Sequence, residues 1–509
     1  MSAAEGTTAW ATIQRVILPS TDQPDTVSLY ADAGTASGIR LRENDELART
    51  PKLPEDKLQM FSSGSQQAHF EDLLTRHSMR VRSGEQISFG TYFNAFAASY
   101  WRRWTSVRDI RLVVRTSGTG TVTVYKSNAR GSVQRVDGVH VDGDATSAFE
   151  LSLKPFGDGG WYWFDLAASA DGLVLESAQW ETAATDGPKG QVTLEITTMN
   201  KPDFCLNNAR ILADNPDVLE NVKEILIVDQ GTQKVEDQEG FAAVRDALGG
   251  KLRIINQANL GGSGGFARGM FEAVENGSDY ALLLDDDIVV EPESIVRLLT
   301  FADHCRKPTI VGGHMFDLYN RSVLHTFGEV VDPFRIVPAL PHADMETRHD
   351  FSVANLRQTP WLHRRVDVDY NGWWMCLIPT KVIQEIGLSL PLFIKWDDAE
   401  YGLRAREAGF ATVSMPGAAV WHVSWIDKDD LVGWQAYFHA RNRLITTLIH
   451  SPYPKGGRVL RESFQSDVKH LVSMQYFTEH GHIEALRDLL KGHQRPALHA
   501  RARRQGPRS

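Results

Sequence analysis

The sequence predicts three regions: a strand-rich region over residues 1–190, an α/β domain over 191–430 and a helical region over 431–509. Three observations lead to this division. Short β-branched and aromatic runs, separated by Gly, Asp and Ser, fill the first region and are typical of a β-sandwich. From residue 191, apolar runs alternate with segments of helical spacing, which favours a parallel sheet covered on both faces. After residue 430 the apolar residues follow helical spacing.

Composition is that of a globular protein and excludes several classes. The chain has 509 residues, 42% of them hydrophobic, and a net charge of −10, which argues against a nucleic-acid-binding protein because such a protein needs a basic face. It contains no stretch near the roughly 20 apolar residues that span a bilayer, and its N-terminus lacks the pattern of a secretory signal. The three cysteines form no C-x-x-C pair, so we expect reduced thiols in the cytoplasm.

Within the strand-rich region, two features can be interpreted. Residues 110–128 form two β-branched runs around Gly118-Thr119-Gly120, which predicts a hairpin. Trp161 and Trp163 fall on one face of a later strand. These aromatic side chains either pack in the core or form a carbohydrate-binding face.

The segment LLLDDDIVVE (282–291) places three aspartates at the end of an apolar strand. Side chains alternate along a strand, so Asp285 and Asp287 point one way and Asp286 the other. Adjacent carboxylates repel by about 1 kcal/mol in water and about 4 kcal/mol at a partly buried site. A hard divalent cation would offset this repulsion, and two oxygen ligands on one side suit Mg²⁺ or Mn²⁺. The alternative is acid enrichment at the start of the following helix.

Upstream, NLGGSGGFARGM (259–270) is a glycine-rich turn that enters a helix. Such a turn lets backbone N–H groups approach a phosphate. The segment matches neither the P-loop nor the dinucleotide fingerprint, so by itself it specifies no ligand.

A second acidic group lies in FIKWDDAEYGLRAREAGF (393–410), where Asp397, Asp398 and Glu400 begin a helix. Acids are common at helix starts. Trp396, with Trp373-Trp374 upstream, suggests a sugar platform instead, and desolvation by tryptophan would raise the pKa of a carboxyl toward the range of a general base.

Two features near the C-terminus each allow two interpretations. His422, in the apolar run AAVWHVSW (418–425), is either a core residue or a third metal ligand. The tail over 491–509 has six Lys/Arg and no acid, so it is either a solvated end or a segment that contacts an anionic membrane surface.

Several segments, taken in order, resemble one family. These are FGTYFNAFAASYWRRWT, NLGGSGGFARGM, DDDI, WWMC, KWDDAEYGLRA and WHVSW. They resemble the polymerising galactofuranosyltransferases of mycobacterial (actinobacterial) galactan synthesis, which are inverting glycosyltransferases of the GT-A fold. The resemblance covers about residues 85–450. It implies an N-terminal β-sandwich, an α/β GT-A (Rossmann-like) catalytic domain and a C-terminal helical region.

The resemblance also implies a reaction and its residues. Galactofuranose would pass from UDP-galactofuranose to a hydroxyl of a lipid-linked galactan acceptor during cell-wall polysaccharide synthesis, in the cytoplasm or on the inner face of the plasma membrane. Asp398 would be the catalytic base, and Mn²⁺ or Mg²⁺ would be held by Asp285, Asp287 and His422. The nucleotide sugar would contact Lys201, Gln230, Asn259 and Asp285. The acceptor side would be lined by His325, Glu329, Trp373, Trp374 and Trp425. Lys201 stands where the family has an arginine, so the charge remains but the bidentate fork is lost.

Three alternatives stay open. The chain could be a GT-A transferase that uses another nucleotide sugar for a different cell-surface glycan, a non-catalytic carbohydrate-binding protein, or a nucleotidyltransferase. The two acidic groups disfavour a pure binding protein, which needs neither metal nor base. Family members are longer after the catalytic domain, so the sequence does not decide between a monomer and a homo-oligomer, whether the chain makes peripheral membrane contact, or how many residues it adds.

Overall fold

The computed structural model describes residues 9–20, 23–33, 68–183, 189–425 and 430–492. Two sheets and a group of C-terminal helices account for most of these residues. Beyond Gly492, the basic tail predicted from the sequence lies outside the described ranges.

The N-terminal region, predicted as a β-sandwich, contains one continuous seven-stranded sheet. Its elements are β1 (Trp10–Arg15), β2 (Met79–Val81), β3 (Gln86–Ser88), α1 (Ala98–Trp104), β4 (Asp109–Ser127), β5 (Val133–Val141), β6 (Ala145–Ser152) and β7 (Tyr162–Ala183). The long strands β4 and β7 pair with each other, and the shorter strands pair along their outer edges. Trp161 and Trp163 are both buried, which confirms core packing and not a carbohydrate-binding face.

The predicted hairpin at Gly118-Thr119-Gly120 is wrong, because β4 runs unbroken through these residues. The glycines instead allow close contact with β7. A Cβ on Gly118 would lie 2.6 Å from the Gly172 carbonyl oxygen, and one on Gly120 would lie 2.4 Å from that of Ala167. The pairing register shifts between Gly118 and Gly120, as at a bulge, and Gly118 has a φ of 97°. Glycine therefore marks a close approach here and not a turn.

The second sheet has ten strands and belongs to the central domain. Its first half contains β8 (Val192–Thr198), α2 (Pro202–Ala213), β9 (Val222–Asp229), α3 (Phe241–Leu248), β10 (Leu252–Asn256), α4 (Gly261–Glu275), β11 (Tyr280–Asp285), β12 (Ile288–Val290) and α5 (Pro292–His304). Its second half contains β13 (Thr309–Asp317), β14 (Val323–Thr326), β17 (His349–Asp350), β18 (Met375–Pro379), α6 (Thr380–Ile386), α7 (Asp397–Glu407) and β19 (Ala411–His422). The short strands β15 (Val330–Val331) and β16 (Pro338–Ala339) pair separately.

The strand order is β10-β9-β8-β11-β18-β13-β14-β17, with β19 beside β13 and β12 beside β19. The four strands from β10 to β11 are parallel, as predicted. The sheet then becomes mixed, because β18 runs antiparallel to both β11 and β13. Parallel neighbours need a crossover, usually a helix. The chain instead reaches β18 through short strands and loops, so the purely parallel prediction holds for only half of the sheet.

Helix α4 packs directly on β8 because two of its glycines face that strand. A Cβ on Gly265 would lie 2.2 Å from Thr197 Cγ2, and one on Gly269 would lie 1.9 Å from Glu195 Cγ. Gly265 and Gly269, two of the glycines in residues 259–270, therefore allow close helix–sheet packing. This packing fixes the first turn of α4 near the carboxyl ends of the parallel strands.

The N-terminal region supports strand β19 through buried hydrogen bonds. The Tyr92 hydroxyl donates to the Ala418 carbonyl at 3.1 Å, and Arg297 Nη1 donates to the Gly417 carbonyl at 2.7 Å. The other terminal nitrogen of Arg297 donates to the Arg15 carbonyl at 2.7 Å. The two sheets are thus joined behind the strand that ends at His422.

Three helices complete the described chain: α8 (Ala436–His450), α9 (Val459–Val472) and α10 (Tyr476–Leu490). They confirm the predicted helical C-terminal region. Within the described ranges, each helix is too short or too polar to cross a membrane. All three cysteines are free thiols.

Gly118→Ala should destabilise the protein more than Gly84→Ala. Both glycines have positive φ values, so each alanine introduces left-handed strain of about 1–2 kcal/mol. Only Gly118 faces a backbone oxygen, whereas the space around a Cβ on Gly84 is open to 4 Å. The clash should add about 1–3 kcal/mol to the loss of unfolding free energy. Denaturant titration of the two variants measures the difference, and equal losses would contradict the close packing of β4 on β7.

Candidate active site

A cleft of about 980 Å³ lies at one end of the central sheet. Three elements bring functional side chains to it: β11 ends at Asp285, α7 begins at Asp397, and β19 ends at His422. The predicted residues that line it are Asp285, Asp287, Glu329, Trp373, Trp374, Asp398, His422 and Trp425. Both acidic motifs, more than 100 residues apart in the chain, therefore face the same space.

Asp285, Asp287 and His422 form a compact cluster. One ligand atom from each lies within 4.8 Å of the others. His422 Nε2 is 2.9 Å from Asp287 Oδ1 and 3.4 Å from Asp285 Oδ2. Two carboxylates and an imidazole form a donor set that suits a divalent cation such as Mn²⁺.

Asp286 points away from this cluster, as strand alternation predicts. Its Oδ2 accepts hydrogen bonds from Thr198 Oγ1 at 2.9 Å and from the Met199 N–H at 3.1 Å. Burial, followed by repulsion from Asp287, raises the pKa of Asp286 to about 7. The middle aspartate therefore ties the end of β11 to the residues that follow β8.

The His422 ring is oriented by its own backbone neighbourhood. Nδ1 donates to the Val423 carbonyl at 2.7 Å, which leaves Nε2 facing the two carboxylates. Burial alone would lower the pKa of His422, but hydrogen bonds and charge from Asp285 and Asp287 outweigh it and raise the pKa to about 10. The sequence allowed His422 to be either a core residue or a metal ligand. His422 is in fact both buried and part of the cluster.

Asp397 and Asp398 occupy the first turn of α7. Asp397 Oδ2 accepts from Ser263 Oγ of α4 at 2.9 Å, and Asp398 Oδ1 accepts from the Ala399 N–H at 2.7 Å. Burial raises the pKa of both carboxyls, and the charge of Asp397 raises that of Asp398 further. A carboxyl whose pKa is raised in this way is suited to take up a proton near neutral pH.

The loop that leads into this pair has a strained backbone. Phe393, Lys395 and Trp396 have φ values of 77°, 66° and 71°. Each residue in this region costs of order 1–3 kcal/mol and persists only when its surroundings impose it. One such constraint comes from α4, whose Ser263 N–H donates to the Phe393 carbonyl at 3.1 Å.

Asn442 of α8 provides a further constraint. Its side-chain amide nitrogen lies 3.1 Å from the Leu392 carbonyl, 2.8 Å from that of Ile394 and 2.9 Å from that of Lys395. Asn442 is fully buried. No sequence motif marks this residue, whose only signal is a polar amide within an otherwise amphipathic helix.

The aromatic wall of the cleft centres on Trp425. Its ring centroid lies 5.2 Å from that of His325, 5.8 Å from that of Trp374 and 6.1 Å from that of His422. Trp425 is 39% exposed, whereas Trp374 is buried and donates from Nε1 to the Gly313 carbonyl at 2.8 Å. The exposed ring is thus positioned between the cation cluster and the predicted acceptor side.

Glu329 and Trp373 contribute to the same wall in different ways. The Tyr370 hydroxyl donates to Glu329 Oε2 at 2.6 Å, and burial raises the pKa of Glu329. Trp373 packs edge-on against Phe266 and Tyr401 in the core. Tyr370, which the sequence analysis did not identify, fixes the glutamate.

The predicted nucleotide contacts Lys201, Gln230 and Asn259 do not line the cleft. They follow β8, β9 and β10 at the carboxyl ends of the parallel strands. Gln230 accepts from the Leu260 N–H at 2.6 Å and donates to the Gly261 carbonyl at 2.9 Å. Asn259 Oδ1 accepts from the Gly261 N–H at 2.9 Å. Both amides therefore shape the turn that starts α4.

Comparison with known proteins decides the family. A family model described as Galactofuranosyltransferase 2 N-terminal matches residues 47–183, and one described as Glycosyltransferase like family 2 matches residues 188–447. Galactofuranosyltransferase GlfT2 of Mycolicibacterium smegmatis is 41% identical over 501 residues, which is 96% of this chain and 72% of the relative. GlfT2 of Mycobacterium tuberculosis is 42% identical over 493 residues, 94% of this chain and 72% of the relative. The chain belongs to the GlfT2 galactofuranosyltransferase family.

Among solved structures, the mannosyltransferase PcManGT from Pyrobaculum calidifontis in complex with GDP-Man and Mn²⁺ is similar at a TM-score of 0.34 and 11% identity, over 62% of this chain and 79% of that chain. GlfT2 family membership confirms the resemblance found in the sequence and the GT-A glycosyltransferase fold of the central domain.

Asp287→Ala should weaken Mn²⁺ binding at the cleft by at least about 100-fold, because it removes one of three donors. Asp286→Asn is the matched control, since Asp286 faces Thr198 and not the cluster. The disappearance of the electron paramagnetic resonance signal of free Mn²⁺ measures binding. Unchanged affinity in Asp287→Ala, or an equal loss in both variants, would refute the assignment of the cluster.

Proposed function

We propose that the chain transfers galactofuranose from UDP-galactofuranose to a hydroxyl of a lipid-linked galactan acceptor, with inversion at the anomeric carbon. The observation that supports this most is the meeting of three groups in one cleft: the Asp285–Asp287–His422 cluster, the carboxyl of Asp398 and an aromatic wall. A metal-dependent inverting transfer uses a cation at the leaving diphosphate, a base at the acceptor hydroxyl and a surface for the acceptor sugar.

The donor is proposed to bind at the carboxyl ends of the parallel strands, where open α/β sheets bind ligands. Asp285, Asp287 and His422 would hold Mn²⁺ or Mg²⁺; the imidazole favours Mn²⁺. When bound, the cation neutralises charge that develops on the leaving diphosphate. The uridine nucleotide is proposed to contact four residues at this edge: Lys201, Gln230, Asn259 and Asp285.

Asp398 is the proposed catalytic base. Its Oδ1 is engaged by the Ala399 N–H, so Oδ2 takes the proton from the attacking acceptor hydroxyl. The raised pKa makes Asp398 a stronger base than an exposed aspartate. A single displacement requires no carboxylate nucleophile and inverts the α-linked donor to a β-galactofuranosyl product.

The acceptor is proposed to bind along His325, Glu329, Trp373, Trp374 and Trp425. The exposed face of Trp425 offers a surface for sugar C–H groups, and Glu329, held by Tyr370, offers an oxygen to a sugar hydroxyl. Trp373 and Trp374 are buried beneath and set the shape of the wall.

Mass spectrometry of a defined reaction tests this function. Purified protein, Mn²⁺ and UDP-galactofuranose are incubated with a lipid-tailed galactofuranosyl acceptor, and UDP-galactopyranose serves as the matched donor control. Products larger by one or more hexoses, formed only from the furanose donor, are expected. Product from the pyranose donor alone would assign the cleft to another nucleotide sugar.

Asp398→Asn should lower turnover by about 100- to 10,000-fold, because the amide cannot accept the proton. Binding of UDP in the presence of Mn²⁺, measured by calorimetry, should be unchanged. Asp344→Asn is the control: its side chain is 55% exposed and pairs with Arg364 away from the cleft. Full turnover by Asp398→Asn would remove this residue from the mechanism.

Asn442→Ala should lower kcat by about 100-fold, because releasing the strained loop displaces Asp398 from its reactive position. Asn94→Ala is the matched control. Asn94 is equally buried and donates to the Ile17 and Tyr30 carbonyls at 2.7 Å, in the N-terminal region. Each variant should lose about 1–3 kcal/mol of unfolding free energy through unpaired backbone groups. Equal kcat values for the two variants would show that Asn442 acts only through stability.

A further inference from the structure

We propose that the C-terminal helices carry a second divalent-cation site, formed by Asp467 of α9 with Glu479 and His482 of α10. One ligand atom from each of these residues lies within 4.8 Å of the others. This cluster shares no residue with the first one, and the catalytic proposal makes no use of it.

The helix geometry brings the three donors together. Glu479 and His482 are three residues apart on α10, so their side chains project from the same face. Asp467 comes from the neighbouring helix α9, and its Oδ1 lies 2.9 Å from His482 Nδ1. A Glu-x-x-His pair on one helix with a carboxylate from another is an arrangement that helical proteins use to hold transition metals.

An unpaired buried carboxylate points to a ligand at this place. Glu479 is only 8% exposed, and its Oε2 is buried without a hydrogen-bond partner among the described residues. Leaving a buried acceptor unpaired costs about 1–3 kcal/mol, and more for a charged group. A cation shared with Asp467 and His482 would provide the missing partner and offset the repulsion between the two carboxylates.

A further imidazole lies beside the cluster. The ring centroid of His470 is 5.2 Å from that of His482, and His470 Nδ1 donates to Gln475 Oε1 at 2.7 Å. This bond fixes the ring and leaves Nε2 as the atom with a free lone pair. Two carboxylates and one or two imidazoles suit Zn²⁺ or Mn²⁺ more than Ca²⁺.

The site would lie on the wall of the catalytic cleft, because Asp467, His470 and His482 all line it. A cation here would clamp α9 to α10 and hold the wall that α8, α9 and α10 form opposite the central sheet. Its role is therefore structural support of this helical wall of the cleft, and the reaction does not pass through it.

Zn²⁺ binding to the Asp287→Ala variant tests the proposal, since that substitution disables the first cluster. Calorimetry of the full chain should show one Zn²⁺ per chain, and differential scanning fluorimetry should show a rise in melting temperature on Zn²⁺ addition. Adding Glu479→Gln to this background should weaken Zn²⁺ binding at least about 100-fold and abolish the rise.

Glu484→Gln in the same background is the matched control. Glu484 is on the same helix, but it pairs with Arg487 at 2.7 Å and is not part of the cluster. Binding that is absent from Asp287→Ala, or equal in the Glu479→Gln and Glu484→Gln chains, would overturn the proposal and leave an ordinary His482–Asp467 ion pair. If Glu479→Gln does not fold, His482→Gln is measured in its place with the same two criteria.

Discussion

The constraint on which the site depends is the repulsion among four aspartate carboxylates in one cleft: Asp285, Asp287, Asp397 and Asp398. Two such charges 4 Å apart repel by about 4 kcal/mol at the effective dielectric of a partly buried site. The protein retains all four and gives each group specific partners. His422 faces the first pair, and Ser263 and the Ala399 N–H bind the second. The negative charge that these partners leave in the cleft favours the binding of a divalent cation. The same charge raises the pKa of Asp398, the proposed base.

The rest of the molecule keeps these carboxylates in place. The N-terminal region supports β19 through Tyr92 and through Arg297 of α5, which also donates to the Arg15 carbonyl. Both bonds reach β19 four to five residues before His422. Helix α8 supports the loop before Asp397 through Asn442. A strained backbone and like charges side by side are both unfavourable locally, so each needs a rigid neighbour. The cleft is therefore lined by the central domain and the C-terminal helices, and the N-terminal region supports it from behind β19.

Local pattern was sufficient to predict part of the fold and the site. The strands before Asp285, the alternation of the three aspartates and the helix that starts at Asp397 follow from side-chain periodicity, and the structure has all of them. The hairpin predicted at Gly118 and Gly120 is wrong, because a glycine needed for close packing has the same sequence pattern as a glycine in a turn. The mixed half of the sheet was missed because strand direction depends on the connections, which here are long and irregular.

Tertiary contacts account for the remaining gaps. Tyr370 and Asn442 act through hydrogen bonds to residues distant in sequence, and no local spacing marks them. Gln230 and Asn259 were predicted to contact the nucleotide, and the structure shows both in bonds that shape the first turn of α4. Their contacts with the nucleotide stay predictions, because an amide that orients a turn can also face a ligand.

The most direct test of the account is the anomeric configuration of the first sugar transferred, measured by nuclear magnetic resonance of the isolated product. With UDP-α-galactofuranose as donor, a single displacement assisted by Asp398 predicts a β-galactofuranosyl linkage. A retained α-linkage would contradict it. That result would exclude a single displacement with inversion and would remove the central role assigned to Asp398.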